Sequence, residues 1–202
     1  MKITDIKQQV KRAGRYSIYI DEKYSFSLSE NELMIQGLRI GQEFDSEGFD
    51  EIQATAIEDK AYMRALDLIM RRQRSRWELQ TYLKRKGNDD NTIDKILSRL
   101  SKRGYVDDHK FAEAWVSNRR LLKSVSKRRL KQELQQKKIS DSIISQVLAD
   151  DEADEVSVLR DLIAKKRSQT RYQDKEKLMA YLMRQGFGYG DVKDALSYED
   201  ES

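Results

Sequence analysis

Hydrophobic residues recur at intervals of three and four positions through most of the chain, which is the pattern of amphipathic helices. In the second part of the chain this pattern repeats itself. Leu79, Leu130 and Leu178 are each followed by another leucine four residues later, and the copies are spaced by 51 and then 48 positions. Periods of this size are typical of tandem arrays, in which each unit buries its apolar face against a neighbour. The pattern therefore predicts three repeats of three helices each.

The repeats are predicted to follow an N-terminal segment, with the four parts of the chain at 1–58, 59–107, 108–150 and 151–202. The nine repeat helices are expected at 61–74, 76–86, 92–103, 108–123, 127–137, 141–149, 152–167, 175–185 and 189–197. Residues that can accept the unpaired N–H groups of a helix start precede several of these spans, namely Ser75, Ser126, Ser140 and Asp174. Ser75 and Glu78 together have the spacing of a capping box. Glycine follows the first and third middle helices but Lys138 follows the second, so we expect that turn to be built differently.

The stretch 102–120 is predicted to join the first repeat to the second. Gly104 can take the left-handed conformation that ends a helix, and Asp107 or Asp108 can cap the helix that follows. In that following helix the apolar side chains share one stripe, made of Phe111, Ala112, Trp115 and Val116. The joint should therefore be short and rigid, with Trp115 in a core.

The N-terminal segment shows the only convincing strand pattern. Residues 16–20 and 24–28 alternate around a polar turn, which predicts a β-hairpin. Ser29 and Glu32 have capping-box spacing for a short helix that Gly37 would end. We expect 38–44 to return as a third strand, and a helix to cover the sheet with the side chains of Phe49, Ile52, Ala56 and Ile57. No proline separates this helix from residue 61, so it could join the first repeat as one continuous or kinked helix. The segment is interpreted as a cap for stability and docking, with a separate binding site as the alternative.

Composition favours a mainly α protein in an elongated, curved array with a small β-hairpin-containing segment at its N-terminus. Proline is absent, and 38% apolar against 37% charged residues makes a lean core. Cysteine is absent, which removes disulfides and thiolate metal sites and fits a reducing compartment. No signal sequence or long apolar run is present, so a cytoplasmic protein that does not bind a membrane is expected.

Residue types also argue against an enzyme and predict neither a metal centre nor a cofactor. His109 is the only histidine, and Asp107–Asp108 is better explained by helix capping than by magnesium binding. The glycine-rich stretch at 186–190 follows a predicted helix rather than a strand, so it lacks the context of a nucleotide-binding loop. We expect no catalytic residues.

Charge is distributed very unevenly along the chain. The net charge of +4 conceals a central portion, 60–138, with 23 basic and 9 acidic side chains and hence a net charge of +14. The flanking parts, 1–59 and 139–202, each carry −5. Such an asymmetry indicates that a polyanion or a partner with an acidic face binds the central portion.

The basic residues of the central portion group at equivalent turns of the first two repeats. The candidate binding residues are Arg71, Arg72, Arg74, Arg76, Trp77, Lys84, Arg85, Lys86, Arg119, Arg120, Lys123, Lys127, Arg128, Arg129 and Lys131. Equivalent turns of a tandem array tend to line one face, so these clusters could form one stripe that follows a phosphate backbone. The alternative is that they solvate helix surfaces, since basic side chains are expected at helix C-termini. Trp77 has no aromatic equivalent in the other repeats, so it either packs locally or offers a surface for stacking.

The joint also carries a family resemblance. Gly104-Tyr-Val-Asp-Asp108, then Phe111-Ala112 and Trp115-Val116, resembles the signature of the RecX family of bacterial RecA regulators. Neighbouring residues agree with this resemblance, which covers roughly 61–196: Arg74-Ser75, Glu78-Leu79, Leu83, Lys86-Gly87, Leu130, Glu133-Leu134 and Lys137.

The resemblance implies a non-enzymatic regulator that binds the RecA nucleoprotein filament, in its groove, and inhibits ATP hydrolysis, strand exchange and co-protease activity. It would act as a monomer in recombination and repair, including the SOS response. The alternative is a protein that binds single- or double-stranded DNA directly and without RecA. The family supplies no catalytic residues to transfer to this sequence.

Overall fold

The computed structural model describes the backbone of residues 1–200 and the side chains of residues 1–197. This part of the chain contains three strands, ten α-helices and one 3-10 turn. The strands are β1 (Ile3–Gln8), β2 (Arg15–Ile20) and β3 (Lys23–Ser29). The helices are α1 (Glu30–Gln36), α2 (Ser46–Arg71), α3 (Arg76–Arg85), α4 (Asp90–Lys102), α5 (Asp108–Leu122), α6 (Lys127–Gln136), α7 (Asp141–Ala149), α8 (Glu155–Arg167), α9 (Lys175–Arg184) and α10 (Tyr189–Asp200), with the 3-10 turn at Thr170–Tyr172. The mainly α class with an N-terminal β segment is confirmed.

The N-terminal strands form one antiparallel sheet in the order β1-β2-β3. The hairpin of β2 and β3 is confirmed, but the third strand precedes it, and the expected strand at 38–44 is wrong. That segment forms no strand, but it reaches the start of β1 through an isolated bridge between Lys2 and Glu43 and through backbone hydrogen bonds such as the one from the Ile3 N–H to the Gln42 carbonyl at 2.9 Å. The register of β1 shifts between Ile3 and Asp5, so its apolar residues do not alternate with period two. This irregularity hid β1 in the sequence.

Helix α2 covers the sheet and continues without interruption into the first three-helix unit. Ile52 and Ala56 are buried against a sheet core that includes Ile18 and Leu28. The predicted face was wrong at Ile57, which is 56% exposed. The first helix of the first repeat begins at Ser46 rather than at residue 61, because no glycine or proline interrupts the periodic pattern there.

A buried carboxylate on α2 fixes the sheet and α1 to that helix. Asp59 accepts hydrogen bonds from the Ser29 hydroxyl at 2.6 Å and the Ser29 backbone N–H at 2.8 Å. It also pairs with Arg15 Nη1 at 3.2 Å. The expected capping box of α1 is therefore only half formed: Ser29 Oγ accepts the N–H of Glu32 at 3.2 Å, but the Ser29 N–H is already bonded to Asp59.

Each set of three helices has its own hydrophobic core. Helices α2–α4, α5–α7 and α8–α10 enclose separate clusters of buried side chains. The leucines that defined the repeats are fully buried, including Leu79, Leu130 and Leu178. By contacts the chain divides into two compact units, residues 1–74 with 79–106 and residues 75–78 with 107–202. The three-helix repeat is thus confirmed.

The turns after the middle helices are built alike, and the expected exception at Lys138 was wrong. Gly87, Lys138 and Gly186 all have positive φ, at 82°, 57° and 94°. In the second turn the N–H groups of Lys138 and Ile139 donate to carbonyls at the end of α6, as their equivalents do in the other two turns. The repeat geometry therefore forces a lysine into the left-handed conformation, at a cost of about 1 kcal/mol.

Two equivalent sets of contacts occur within the second compact unit, and we call them the first and second junctions. In the first, Ser75 Oγ donates to the Lys137 carbonyl at 3.2 Å, and the Arg76 N–H donates to the Asp108 carboxylate at 2.7 Å. In the second, Ser126 Oγ donates to the Gln185 carbonyl at 3.0 Å, and the Lys127 N–H donates to the Glu155 carboxylate at 2.9 Å. In each junction the N-terminus of one repeat's middle helix thus contacts two helices of the following repeat. These contacts are with the C-terminal turn of that repeat's middle helix and with the N-terminus of its first helix.

Candidate functional site

The basic clusters begin where the first helices of the repeats end. Arg72 and Lys123 are the C-terminal caps of α2 and α5, and both have extended backbone conformations. Arg71, which precedes Arg72, is exposed and has no intramolecular ion pair among the residues described. Cations are favourable at helix C-termini because the last carbonyl groups carry partial negative charge. This local effect explains why the clusters recur at equivalent turns.

Arg119 and Arg120 are held by partners within the second unit. Arg119 Nε lies 2.7 Å from Glu133 Oε2, and the guanidinium stacks 4.6 Å from the centre of the Trp115 ring. Arg120 Nη2 lies 2.6 Å from Asp151 Oδ2, and Nη1 donates to the Val125 carbonyl at 2.6 Å. The structure therefore gives these two predicted site residues roles in packing.

Trp115 itself has the predicted structural position. Its ring stacks on Phe111 at 5.8 Å between ring centres, beside the core of the second repeat. The indole N–H donates to Glu133 Oε2 at 2.9 Å. The Glu133 carboxylate therefore accepts hydrogen bonds from two side chains, the indole of Trp115 and the guanidinium of Arg119.

Helix α6 presents an exposed cationic stripe. Arg128 and Lys131 are exposed one turn apart, followed on the same face by Gln132 and Gln135. Neither cation has an ion-pair partner within the described part of the chain. Their neighbours are engaged: Lys127 Nζ donates to the Asp151 carbonyl at 2.6 Å, and Arg129 Nε lies 3.5 Å from Glu133 Oε1.

The same stripe differs chemically on the other middle helices. On α3 the equivalent exposed positions are Trp77, Gln80, Thr81 and Lys84. On α9 they are Glu176, Met179, Ala180 and Met183, of which Met179 is partly buried. Trp77 is 37% exposed, so the ring is neither enclosed in the core nor fully presented to solvent. The cationic character of this stripe is therefore greatest on α6.

The remaining predicted residues of the first repeat are mostly engaged. Lys84 pairs with Asp90 at 3.1 Å in an exposed position, while Arg85 and Lys86 lie 5.9 Å and 5.7 Å from the centre of the Tyr82 ring. Arg72, Arg74 and Arg76 also take part in interactions within the chain. Arg71, Lys123, Arg128 and Lys131 are thus the predicted cations that the structure leaves exposed with neither an ion pair nor an aromatic contact in its described part.

Sequence reasoning missed a third basic cluster. Lys165, Lys166 and Arg167 form the last turn of α8, the equivalent of the turns that carry the first two clusters. The acidic net charge of 139–202 concealed it, because most of the acidic residues precede this turn or lie on α10. Aligning the ends of the first helices, rather than summing charge by segment, would have revealed it.

Acidic residues near the site serve mainly as caps. Asp107 accepts the N–H groups of His109 and Lys110 at the start of α5. Burial raises the pKa of the Asp108 carboxyl, and the hydrogen bond from the Arg76 N–H opposes this shift. His109 Nδ1 lies 3.5 Å from Glu113 Oε1. Among the residues described, no cluster of three or more His, Cys, Asp or Glu side chains could hold a metal ion.

None of the helices described has the length and apolar character needed to cross a membrane.

The small N-terminal sheet followed by three three-helix units defines a class of tandem-repeat proteins, and four family models match it in order. They are described as the regulatory protein RecX N-terminal domain at residues 1–45, and the first, second and third RecX three-helix domains at residues 61–100, 107–148 and 153–196. The chain belongs to the RecX family.

Relatives and solved structures agree with this assignment. The chain is similar to the regulatory protein RecX of Bacillus licheniformis, with 33% identity over 98% of this chain and 77% of the relative. Its identity to the regulatory protein RecX of Bacillus subtilis (strain 168) is 30%, over 98% of this chain and 78% of the relative. A crystal structure of regulatory protein RecX superposes with a TM-score of 0.71 at 28% identity, covering 96% of this chain and 98% of that one. RecX from Lactobacillus salivarius, at 23% identity, shares the fold with a TM-score of 0.60 over 72% of this chain and 97% of that one.

Proposed function

We propose that this protein is a non-enzymatic regulator that binds the RecA–DNA filament in its groove and lowers ATP hydrolysis, strand exchange and co-protease activity. Family membership supports a regulatory role, since the similar proteins are named regulatory protein RecX. The observation that carries the choice of ligand is the set of exposed cations without ion pairs, represented by Arg71, Arg128 and Lys131.

The physical basis is the negative charge of the filament. DNA carries closely spaced phosphates, and cations that have no internal partner can neutralise them and release counterions. A protein bound along the groove would contact adjacent RecA subunits and oppose the movements between them that accompany ATP hydrolysis. Inhibition therefore requires no chemistry from the regulator, only binding to one state of the filament.

The test is the RecA ATPase on single-stranded DNA, measured against increasing concentrations of the protein. The test variant carries Arg71→Gln, Arg128→Gln and Lys131→Gln. The matched control carries Lys23→Gln, Lys110→Gln and Lys193→Gln, which removes the same charge at other exposed positions. We expect the test variant to need about 10-fold more protein for half-inhibition, because each exposed charge contributes up to about 1 kcal/mol. The control variant should need no more than about twofold more protein than wild type for half-inhibition.

Equal inhibition by both variants would reject these three cations as contacts while leaving the filament as the ligand. Absence of inhibition by the wild-type protein would reject the regulatory proposal itself.

Direct binding to DNA without RecA is the second candidate, because the exposed cationic stripe of α6 would also attract the phosphates of naked DNA. In that case the logarithm of the binding constant should fall with the logarithm of salt by about 0.7 for each phosphate contacted on a single strand. Replacing Arg128 and Arg129 should flatten that slope. If the filament is the ligand, naked DNA should bind weakly at physiological salt while substoichiometric protein still slows the ATPase.

A further inference from the structure

A surface cavity of about 290 Å³ lies within the second unit, between the C-terminal ends of α5 and α8 and one side of α9. Three lysines line it, Lys123 from the end of α5 and Lys165 and Lys166 from the end of α8. Leu122, Ser124 and Tyr181 complete most of the remaining wall. The cavity therefore joins the second basic cluster to the third one, which the sequence analysis missed.

The charge around this cavity is uncompensated. No acidic side chain is among its lining residues, and neither Lys123 nor Lys165 has an ion-pair partner in the described portion of the chain. A larger cavity of about 550 Å³ in the same unit has walls of both signs, with Arg128 and Arg160 beside Glu155 and Asp191. The charged side chains that line the small cavity are thus all basic, whereas those of the larger cavity have both signs.

The helix dipole accounts for only part of this arrangement. It favours a cation at the end of each helix separately, and Arg120 meets that need beside two carboxylates. The dipole does not explain why the ends of α5 and α8 bring their lysines to the same cavity, because the ammonium groups repel one another there. An anion bound between them would remove that repulsion.

Lys166 is held in place before any ligand arrives. Its Nζ lies 4.9 Å from the centre of the Tyr181 ring and 5.4 Å from that of Tyr172. The two rings pack against each other at 5.0 Å. Cation–π contacts of this kind fix the position of an ammonium group, so less conformational entropy is lost when an anion binds.

We propose that this cavity binds one phosphate of a single-stranded nucleic acid, with Lys123, Lys165 and Lys166 around the phosphate. Leu122, which is 73% exposed, and Tyr181 provide an apolar wall for the adjoining sugar or base. A cavity of this size admits a phosphate with its sugar. The apolar wall favours a single strand, because the bases of a duplex are stacked inside it and cannot reach the wall. The proposal rests on the proposed function in one respect, that the strand in the cell is the DNA of the filament.

The test measures binding of a fluorescein-labelled oligothymidylate to the full-length protein at low and increasing salt, without RecA. The test variant carries Lys123→Gln and Lys165→Gln, and the control carries Lys110→Gln and Lys193→Gln. Loss of the one phosphate contact should reduce the slope of log K against log salt by about 0.7, while the control should leave the slope within about 0.3 of wild type. The same reduction in both variants would overturn the proposal.

Acetylation of lysines followed by mass spectrometry gives a second readout that locates the ligand. The oligothymidylate should protect Lys123 and Lys165 several-fold and leave Lys110 and Lys193 as reactive as before. Inorganic pyrophosphate at the same phosphate concentration should give little protection; equal protection would assign the cavity to a small free anion and overturn the strand proposal. These outcomes are separable from the RecA assay, because the cavity can fail these tests while filament inhibition persists, and the reverse.

Discussion

The two junctions of the second unit have the same geometry but different side chains, and the difference shows how a repeat tolerates sequence change. In the first junction Glu78 accepts the Ser75 N–H at 3.3 Å and also pairs with Lys137 at 2.7 Å. In the second, Arg129 occupies the position of Glu78 and cannot accept that hydrogen bond. The Ser126 N–H instead donates to the Gln185 carbonyl at 3.3 Å.

The second arrangement requires a closer approach of backbone to backbone. A Cβ added at Gly186 would lie 2.4 Å from Ser126 Oγ and 3.0 Å from the backbone nitrogen of Arg129. Lys138 stands at the same position in the first junction and carries a side chain. A capping box therefore permits a looser junction, whereas its loss makes glycine necessary.

The largest effect is expected from Gly186→Ala, which would disrupt the second junction. The new methyl group combines left-handed strain with a steric conflict, so we expect the stability of α6 and α9 to fall by about 3 kcal/mol. Amide hydrogen exchange of these helices provides the measurement. Gly87→Ala is the matched control, because Gly87 has φ of 82° but no heavy atom within 4 Å of the added Cβ. That variant should lose only about 1 kcal/mol from strain; similar losses at both positions would show that the second junction is not tighter.

A smaller effect is expected from Glu78→Ala in the first junction. The change removes the acceptor for the Ser75 N–H and the partner of Lys137, so stability around the first turn of α3 should fall by about 2 kcal/mol. Hydrogen exchange at Ser75–Glu78 and the urea midpoint would measure it. Arg129→Ala, at the equivalent position of the second junction, should cost less than about 1 kcal/mol, because Arg129 makes only a partly exposed pair with Glu133. The comparison fails if Arg129→Ala costs as much as Glu78→Ala.

The smallest effect, and the only stabilising one, is expected from Lys138→Gly. Glycine takes a φ of 57° without the strain imposed on lysine, so the free energy of unfolding should rise by about 1 kcal/mol. A rise in the urea midpoint at unchanged slope would show this gain. Lys138→Ala keeps the strain and serves as the control; a gain of equal size from alanine would mean that the lysine charge, rather than the backbone, is responsible.

Sequence predicted the helices well where local signals and the repeat agreed. Ser75, Ser126 and Asp174 each cap the helix that was expected to follow them. Prediction from sequence failed where tertiary structure, rather than a local sequence signal, determined the conformation. The register shift in β1 removed the alternation on which strand prediction depends, and the repeat geometry placed Lys138 where glycine is usual.

The candidate site was less predictable than the fold, because ion pairing depends on residues that are distant in sequence. In the sequence nothing distinguishes Arg119 and Arg120 from their exposed neighbours. In the structure they form ion pairs with Glu133, Asp151 and Glu155. Summed charge identified a basic central portion but concealed the cluster at the end of α8. Charge is best read at equivalent positions of the repeat rather than over long segments.

The buried Asp59 has a consequence for how the N-terminal part of the chain can evolve. While the sheet covers α2, replacing Arg15 alone would leave the buried Asp59 carboxylate without the guanidinium that pairs with it, although Ser29 would still donate to it. The hairpin is therefore tied to α2 by a polar contact as well as by their shared apolar core. Arg15 and Asp59 would have to be gained or lost together.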